Sequence, residues 1–334
     1  MPSFTLTGIF VATKAISFKG ENLMDCAEKS LDPINLFGSL PVARAGFLIK
    51  VLEDIEDETY LGSTFRGMLG WQLQNLSCPY QKRPPCNRCI IKEHCPAFIL
   101  IEGKSPIPGL SDSPRGYILY PFKIPAGKAS YQLSLTLLGD LARFYPLIRK
   151  ALANGQKAGI GRQRARYTIV EGKAGRSDTC DISRLEEILE ATTFTPGDIA
   201  VHLITPLRLR KKGKYLDELD WPFLLESTAR RLEALSVLYA GGKALGKETW
   251  QALASLFSTA PAPLSLEISW KEYERYSNRQ RRKVPMGGLV GKAHFDHPPE
   301  WFAKWLYAAS LLHVGKGAAM GLGRIEISEK GLSR

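Results

Sequence analysis

Four of the six cysteines stand close together, Cys78, Cys86, Cys89 and Cys95, in the spacing C-x7-C-x2-C-x5-C. The Cys86-Asn87-Arg88-Cys89 knuckle lets two thiolates share one ion, and the flanking pair can complete a tetrahedral set. Pro79, Pro84, Pro85 and Pro96 break up any long regular element here. Residues 78–96 therefore read as a loop insertion stapled by a structural zinc. An iron–sulfur cluster is the alternative, because Cys-Pro, as at Cys95-Pro96, also occurs in such sites. Cysteines without metal are the third reading. Four sulfurs would fill all four positions, which leaves none for chemistry, so no catalytic metal is expected. Cys26 and Cys180 stand alone and read as packing residues.

A second chemistry-bearing feature occurs twice. Gly159-Ile160-Gly161-Arg162-Gln163-Arg164-Ala165-Arg166-Tyr167 runs into Thr168-Ile169-Val170. Gly315-Lys316-Gly317-Ala318-Ala319-Met320-Gly321-Leu322-Gly323-Arg324 runs into Ile325-Glu326-Ile327. Each follows an apolar, helix-like stretch. Glycine lets the backbone turn sharply and approach a ligand closely, and successive exposed amides make an anion-binding concavity. With Arg162, Arg164, Lys316 and Arg324 alongside, the ligand indicated is a nucleic-acid backbone. Two ordinary helix-to-strand turns are the plainer reading. The net charge of +12 agrees with a polyanionic partner.

Two more basic clusters invite the same reading. Arg208, Arg210, Lys211, Lys212 and Lys214 follow a predicted strand and suit phosphates. Arg275, Arg279, Arg281, Arg282 and Lys283 are interleaved with Tyr273 and Tyr276, which adds stacking surface for unpaired bases. A solvated charged hairpin is the alternative for either. Gly287-Gly288-Leu289-Val290-Gly291-Lys292-Ala293 is not a nucleotide P-loop: its glycine spacing is one short, and Ala293 stands where a magnesium-binding hydroxyl is needed.

The elements that must position these groups repeat. Val42–Leu52 reads as a strand and Tyr60–Leu76 as a helix burying Leu61, Phe65, Met68, Leu69 and Leu73. Residues 105–127 read as loop, Tyr131–Leu138 as strand and Gly139–Asn154 as helix. In the second half Asp198–Leu209 is a strand, Phe223–Tyr239 a helix, Leu264–Trp270 and Val284–His294 strands, and Pro299–His313 a helix. The expected class is α+β, two tandem ferredoxin-like βαββαβ domains. Residues 1–40 would be an extension, 41–190 the first domain with its Cys insertion, and 191–334 the second. The 334 residues suit two such cores. No stretch is long and apolar enough to span a bilayer, no basic segment precedes the first apolar residues as a secretory signal would require, and a cytoplasmic protein is expected.

The run from Glu274-Arg275-Tyr276-Ser277-Asn278-Arg279-Gln280 through Gly287-Gly288-Leu289-Val290-Gly291 to Leu312-His313-Val314-Gly315-Lys316-Gly317 and Gly321-Leu322-Gly323 resembles the CRISPR repeat-RNA-processing endoribonucleases of the RAMP superfamily. Thr205-Pro206-Leu207-Arg208 and the first glycine loop extend the resemblance to about residues 41–330. It implies two ferredoxin-like domains and binding of CRISPR repeat RNA. It also implies metal-independent cleavage to 2′,3′-cyclic phosphate and 5′-hydroxyl ends, with delivery of guide RNA to an interference complex. A non-catalytic RNA-binding subunit of the same superfamily is the alternative.

Such cleavage needs a base near the ribose 2′-OH, an acid near the leaving oxygen and cations on the phosphorane. Histidine is the usual base, and in similar enzymes it lies on or beside the first helix. Here Tyr60–Leu76 contains none and offers Tyr60, Ser63, Thr64 and Arg66. His313, immediately before Gly315-Lys316-Gly317, is the best histidine candidate, as base or as a protonated cap of the preceding helix. The expected catalytic set is therefore His313, Arg66, Tyr60, Ser63 and Lys316. The expected RNA contacts are Arg162, Arg164, Arg208, Lys211, Lys212, Arg275, Arg279, Arg281, Arg282, Lys283, Gly315, Gly317, Gly321, Gly323 and Arg324.

Overall fold

The computed structural model describes residues 30–53, 60–103, 113–125, 130–161, 163–170, 180–192, 197–277 and 282–329. In the first half, a short helix α1 (Pro33–Phe37) leads into the long strand β1 (Pro41–Val51), then α2 (Leu61–Ser77) and α3 (Pro96–Ile101). Strands β2 (Tyr117–Lys123) and β3 (Ser130–Leu138), helix α4 (Tyr145–Ala158), β4 (Tyr167–Val170), β5 (Asp181–Arg184) and α5 (Leu185–Glu190) follow. The sheet runs β2-β3-β1-β4, with β5 also on β1, and its pairings are antiparallel. Side chains alternate along β1: Phe47, Ile49 and Val51 are buried, while Arg44 and Lys50 on the other face are exposed. Helix α2 buries Leu61, Phe65, Met68, Leu69 and Leu73, the stripe expected from the periodicity.

The second half repeats the plan. Strand β6 (Ile199–Leu207) is followed by the small hairpin β7 (Arg210–Lys211) and β8 (Lys214–Tyr215), then α6 (Trp221–Tyr239) and α7 (Lys247–Ser258). Next come β9 (Ser265–Lys271), the hairpin β10 (Glu274–Ser277) and β11 (Arg282–Pro285), β12 (Gly288–Phe295), α8 (Glu300–Leu312) and β13 (Ile325–Glu329). The order β13-β6-β12-β9 matches that of the first sheet strand for strand. Two tandem ferredoxin-like domains are present, as expected.

Four details depart from the sequence reading. Residues 105–127 were expected to be loop, yet β2 lies inside them. Pro121 argues against a strand, but β2 is the sheet edge, where a missing N–H costs little. Helix α7 and the pair β5–α5 add elements to the simple repeat. Val284–His294 is two strands, broken at Met286-Gly287. Residues 33–40 belong to the core rather than to an extension: Phe37 is buried edge-on against Trp305 of α8, and Asp32 accepts from Lys304 at 3.3 Å. The rest of the expected extension, residues 1–29, lies outside the described residues.

Candidate nucleic-acid interface

Helix α2 starts where both glycine loops meet. Its N-cap residue, Tyr60, makes no side-chain cap, and no acidic residue stands in its first turn. The positive end of the helix is therefore not neutralised from within the helix, which favours an anion. On one side a Cβ at Gly161 would lie 3.7 Å from Thr64, in ordinary contact. On the other, a Cβ at Gly62 would lie 1.9 Å from the Met320 carbonyl oxygen. The Tyr60 hydroxyl donates to that same carbonyl at 2.8 Å. The two copies of the device thus flank the first turn of α2.

The glycines do closer work than expected. Gly315, Gly317, Gly321 and Gly323 all have positive φ. A Cβ at Gly321 would lie 2.8 Å from the Leu119 oxygen and 3.0 Å from Tyr120, and one at Gly323 would collide with the Val314 oxygen at 1.8 Å. Many loop amides are already satisfied: Val314 donates to Gly323, Lys316 to Arg208, Gly321 to Ala318 and Gly323 to Pro206. The close approach that glycine permits in this loop is to the protein itself, and it clamps the second domain onto the first.

Arg208 lies beside that loop. It is 7% exposed, its Nε has no hydrogen-bond partner among the described residues, and its guanidinium covers the Tyr215 ring at 4.6 Å. Its carbonyl accepts from Lys316 at 3.0 Å, and the chain pairs with Gly315. A buried guanidinium without a carboxylate is unfavourable unless an anion completes it.

His313 is placed differently from the expectation. It is 3% exposed, packed edge-on against Tyr120 at 5.6 Å, with Nδ1 3.2 Å from the Leu322 carbonyl, to which Nδ1–H donates. Burial first, then Arg324 and Arg231, drives its pKa down to about 3. The protonated helix cap is thus corrected to a neutral imidazole. The carbonyl of Leu312 at the end of α8 is met instead by Arg231 Nε at 3.0 Å. Burial lowers that guanidinium to about 10.

Other expected residues are distributed as follows. Ser63 donates to the Tyr60 carbonyl at 3.1 Å. Arg66 turns to the Ile101 carbonyl at 3.0 Å, at the end of α3, where Arg115 also donates. Burial, followed by Tyr120 and Tyr273, raises the Tyr60 pKa, which suits the donor it already is. Lys316 and Arg164 are exposed, and Arg164 and Lys212 both have positive φ at turn positions. Lys211 pairs with Asp220 at 2.9 Å, Lys283 with Glu274 at 3.0 Å, and Arg324 with Glu326 at 2.8 Å. Arg282 borders β11, and Arg275 lies in β10. Arg162, Arg279 and Arg281 lie outside the described residues. Sequence reasoning missed Tyr120, Phe122 and Arg231, which gave no signal because the segment carrying the first two read as loop.

Cys78, Cys89 and Cys95 lie near enough to Cys86 to influence it electrostatically, but no three of the four Sγ atoms come within 4.8 Å of one another. Two short turns hold the knuckles, Cys89 N–H donating to Cys86 at 3.3 Å and Cys95 N–H to Lys92 at 3.2 Å. Gln74 of α2 donates to Cys86 Sγ at 3.8 Å. Burial raises the Cys86 thiol, and Cys95, Glu102, Cys78 and Cys89 add to it. Among the described residues, the one trio of such ligand atoms within 4.8 Å of one another is Asp198, Asp296 and His297. That trio sits at the opposite end of β6, about 30 Å from Arg208 by strand rise. Both carboxylates favour the protonated His297, Asp296 most, and raise its pKa.

Two family models match the chain. Residues 40–198 match an N-terminal domain family (AF_1859_N), and residues 201–325 match the CRISPR-associated endoribonuclease Cas6. A search of curated proteins by sequence finds no match. Among solved structures, a Cas6 product complex is similar at 16% identity, covering 86% of this chain and 98% of that one, with a TM-score of 0.54. Thermus thermophilus Cas6 is similar at 16% identity, covering 87% and 99%, with a TM-score of 0.53. At such identity the likeness concerns the fold. No helix among the described residues is long and apolar enough to cross a membrane.

Proposed function

We propose that the chain is an endoribonuclease of the CRISPR-associated Cas6 family, whose model matches residues 201–325, and that it binds CRISPR repeat RNA in a cleft at the start of α2 and cleaves it without a metal. The observation that carries this reading is Arg208, a buried guanidinium beside the second glycine loop whose Nε has no partner among the described residues. A phosphate supplies the missing anion. The ribose 2′-oxygen attacks phosphorus and loses its proton, while the bond to the 5′-oxygen breaks and that oxygen gains one. The products are a 2′,3′-cyclic phosphate and a 5′-hydroxyl. Arg208, Lys316 and the first-turn amides of α2 stabilise the phosphorane. Tyr60 and Ser63 hold the cleft's shape, and Arg66 fixes α3. A neutral, enclosed His313 is a poor general base, so positioning and charge carry most of the rate. The guide RNA then passes to a CRISPR interference complex.

The experiment is single-turnover cleavage of repeat RNA in EDTA with analysis of the product ends. Undiminished cleavage with cyclic phosphate ends is expected. The enclosure of His313 also favours a second reading, a non-catalytic repeat-RNA-binding subunit; tight binding without cleavage would select it.

For the insertion we propose a structural zinc held by Cys78, Cys86, Cys89 and Cys95. The two turn-held knuckles and the Gln74 contact to sulfur support it, and the metal would tie residues 78–96 to the end of α2. Elemental analysis is expected to find about one zinc per chain, reduced by Cys86→Ser. Iron with visible absorption would replace zinc by a cluster, and metal-free protein would end the proposal.

A further inference from the structure

Building on the RNA-binding reading, we infer that Phe122 is a stacking platform for one unpaired RNA base, at the point where the strand leaves the glycine-loop cleft. Tyr120 and Phe122 lie on the face of the first sheet that is turned away from α2 and α4. The second glycine loop covers that face as far as Tyr120. The guanidinium of Arg324 lies over the Tyr120 ring at 4.6 Å, and the Tyr120 ring stacks on Phe122 at 5.3 Å with 25° between planes. Arginine, tyrosine and phenylalanine thus form a continuous stack that begins at the cleft. It ends in an aromatic ring that is 38% exposed, whereas Tyr120 is buried.

The neighbours of Phe122 fit the edge and backbone of a nucleotide. In register beside it come Gln132 and then Leu48. A Cβ at Gly46 would lie 2.4 Å from Gln132 Nε2, so this glycine leaves the carboxamide room to lie across the strand. Its amide and carbonyl can meet a base edge. Arg44 and Lys50 stand exposed on the same face, with Asp181 opposite Arg44 at the rim. The corresponding face of the second sheet is different: Glu326, His202, Lys292 and Glu267 form one row across it, with Lys292 paired to Glu267 at 3.3 Å. That face presents carboxylates and no aromatic ring in the row. Continuity with the cleft and the sign of charge both direct a single strand over the first sheet.

The test compares wild type, Phe122→Ala, Phe122→Trp and Arg208→Gln in binding to repeat RNA carrying 2-aminopurine at successive unpaired positions. Phe122→Ala is expected to weaken binding about 5- to 150-fold, the range for one stacked base, with an unchanged salt slope, because no counterion release is lost. Phe122→Trp should retain the affinity. At one position, fluorescence should be quenched by wild type and Phe122→Trp but not by Phe122→Ala. Wild-type affinity and quenching in Phe122→Ala, with binding weakened in Arg208→Gln, would overturn the platform and leave the cleft reading intact. Absence of RNA binding by wild type would overturn both.

Discussion

Gly62→Ala is expected to cripple RNA processing, although alanine is the better helix former by about 1 kcal/mol. The added methyl would lie 1.9 Å from the Met320 oxygen and 2.7 Å from the Tyr60 ring. Neither neighbour can retreat freely. The Met320 carbonyl holds the Tyr60 hydroxyl, and the next residue, Gly321, lies against Leu119 and Tyr120. The glycine loop must therefore lift from α2 and open the cleft by an ångström or more. Overpacking of this kind costs about 1–3 kcal/mol in stability, and a comparable displacement of reacting groups costs about 100-fold in rate. Gly67→Ala, on the same helix but with nothing within 4 Å of its Cβ, should be stabilising by about 1 kcal/mol and leave cleavage unchanged. Thermal melts and single-turnover rates of the pair check this; an active, stabilised Gly62→Ala would disprove the contact.

The second large effect concerns acid. His313 is held neutral, its pKa lowered from 6.5 to about 3, while in the unfolded chain it takes up a proton near its ordinary value. Between those values the unfolded state binds the extra proton, so stability rises with pH. The contribution is complete above pH 6.5 and is lost progressively as pH falls toward about 3. At about 1.4 kcal/mol per unit, the ceiling is about 5 kcal/mol. Denaturant unfolding of wild type should show this slope. His313→Asn, which can keep a donor toward Leu322, should flatten it. A slope equal in both proteins would show that His313 is not the titrating group.

The repeat of helix, glycine loop and strand was legible because glycine punctuation and apolar periodicity are local signals. So was the stripe on α2, whose five expected apolar residues are all buried. Strand β2 was not legible: prolines mark loops unless the strand lies at an edge, and edge position is a property of the whole sheet. Enclosure was equally out of reach. Nothing near His313 in sequence announces that Tyr120, almost two hundred residues away, closes over it, or that Arg231 takes the helix end. The basic residues were easy to find, but Lys211 and Lys283 have acidic partners nine residues away that the fold brings near. Charge counts composition, whereas availability depends on neighbours.

Helix α1 gives the duplicated architecture an unexpected property. It precedes the first sheet in sequence, yet Phe37 lies against Trp305 and Asp32 receives Lys304, both from the second repeat. The buried side chains of the two halves form one continuous cluster. Modularity has therefore been lost where symmetry survives. A cut between the repeats would leave Trp305 without its lid, and a swap of either half for a foreign ferredoxin-like unit would have to carry this strap with it.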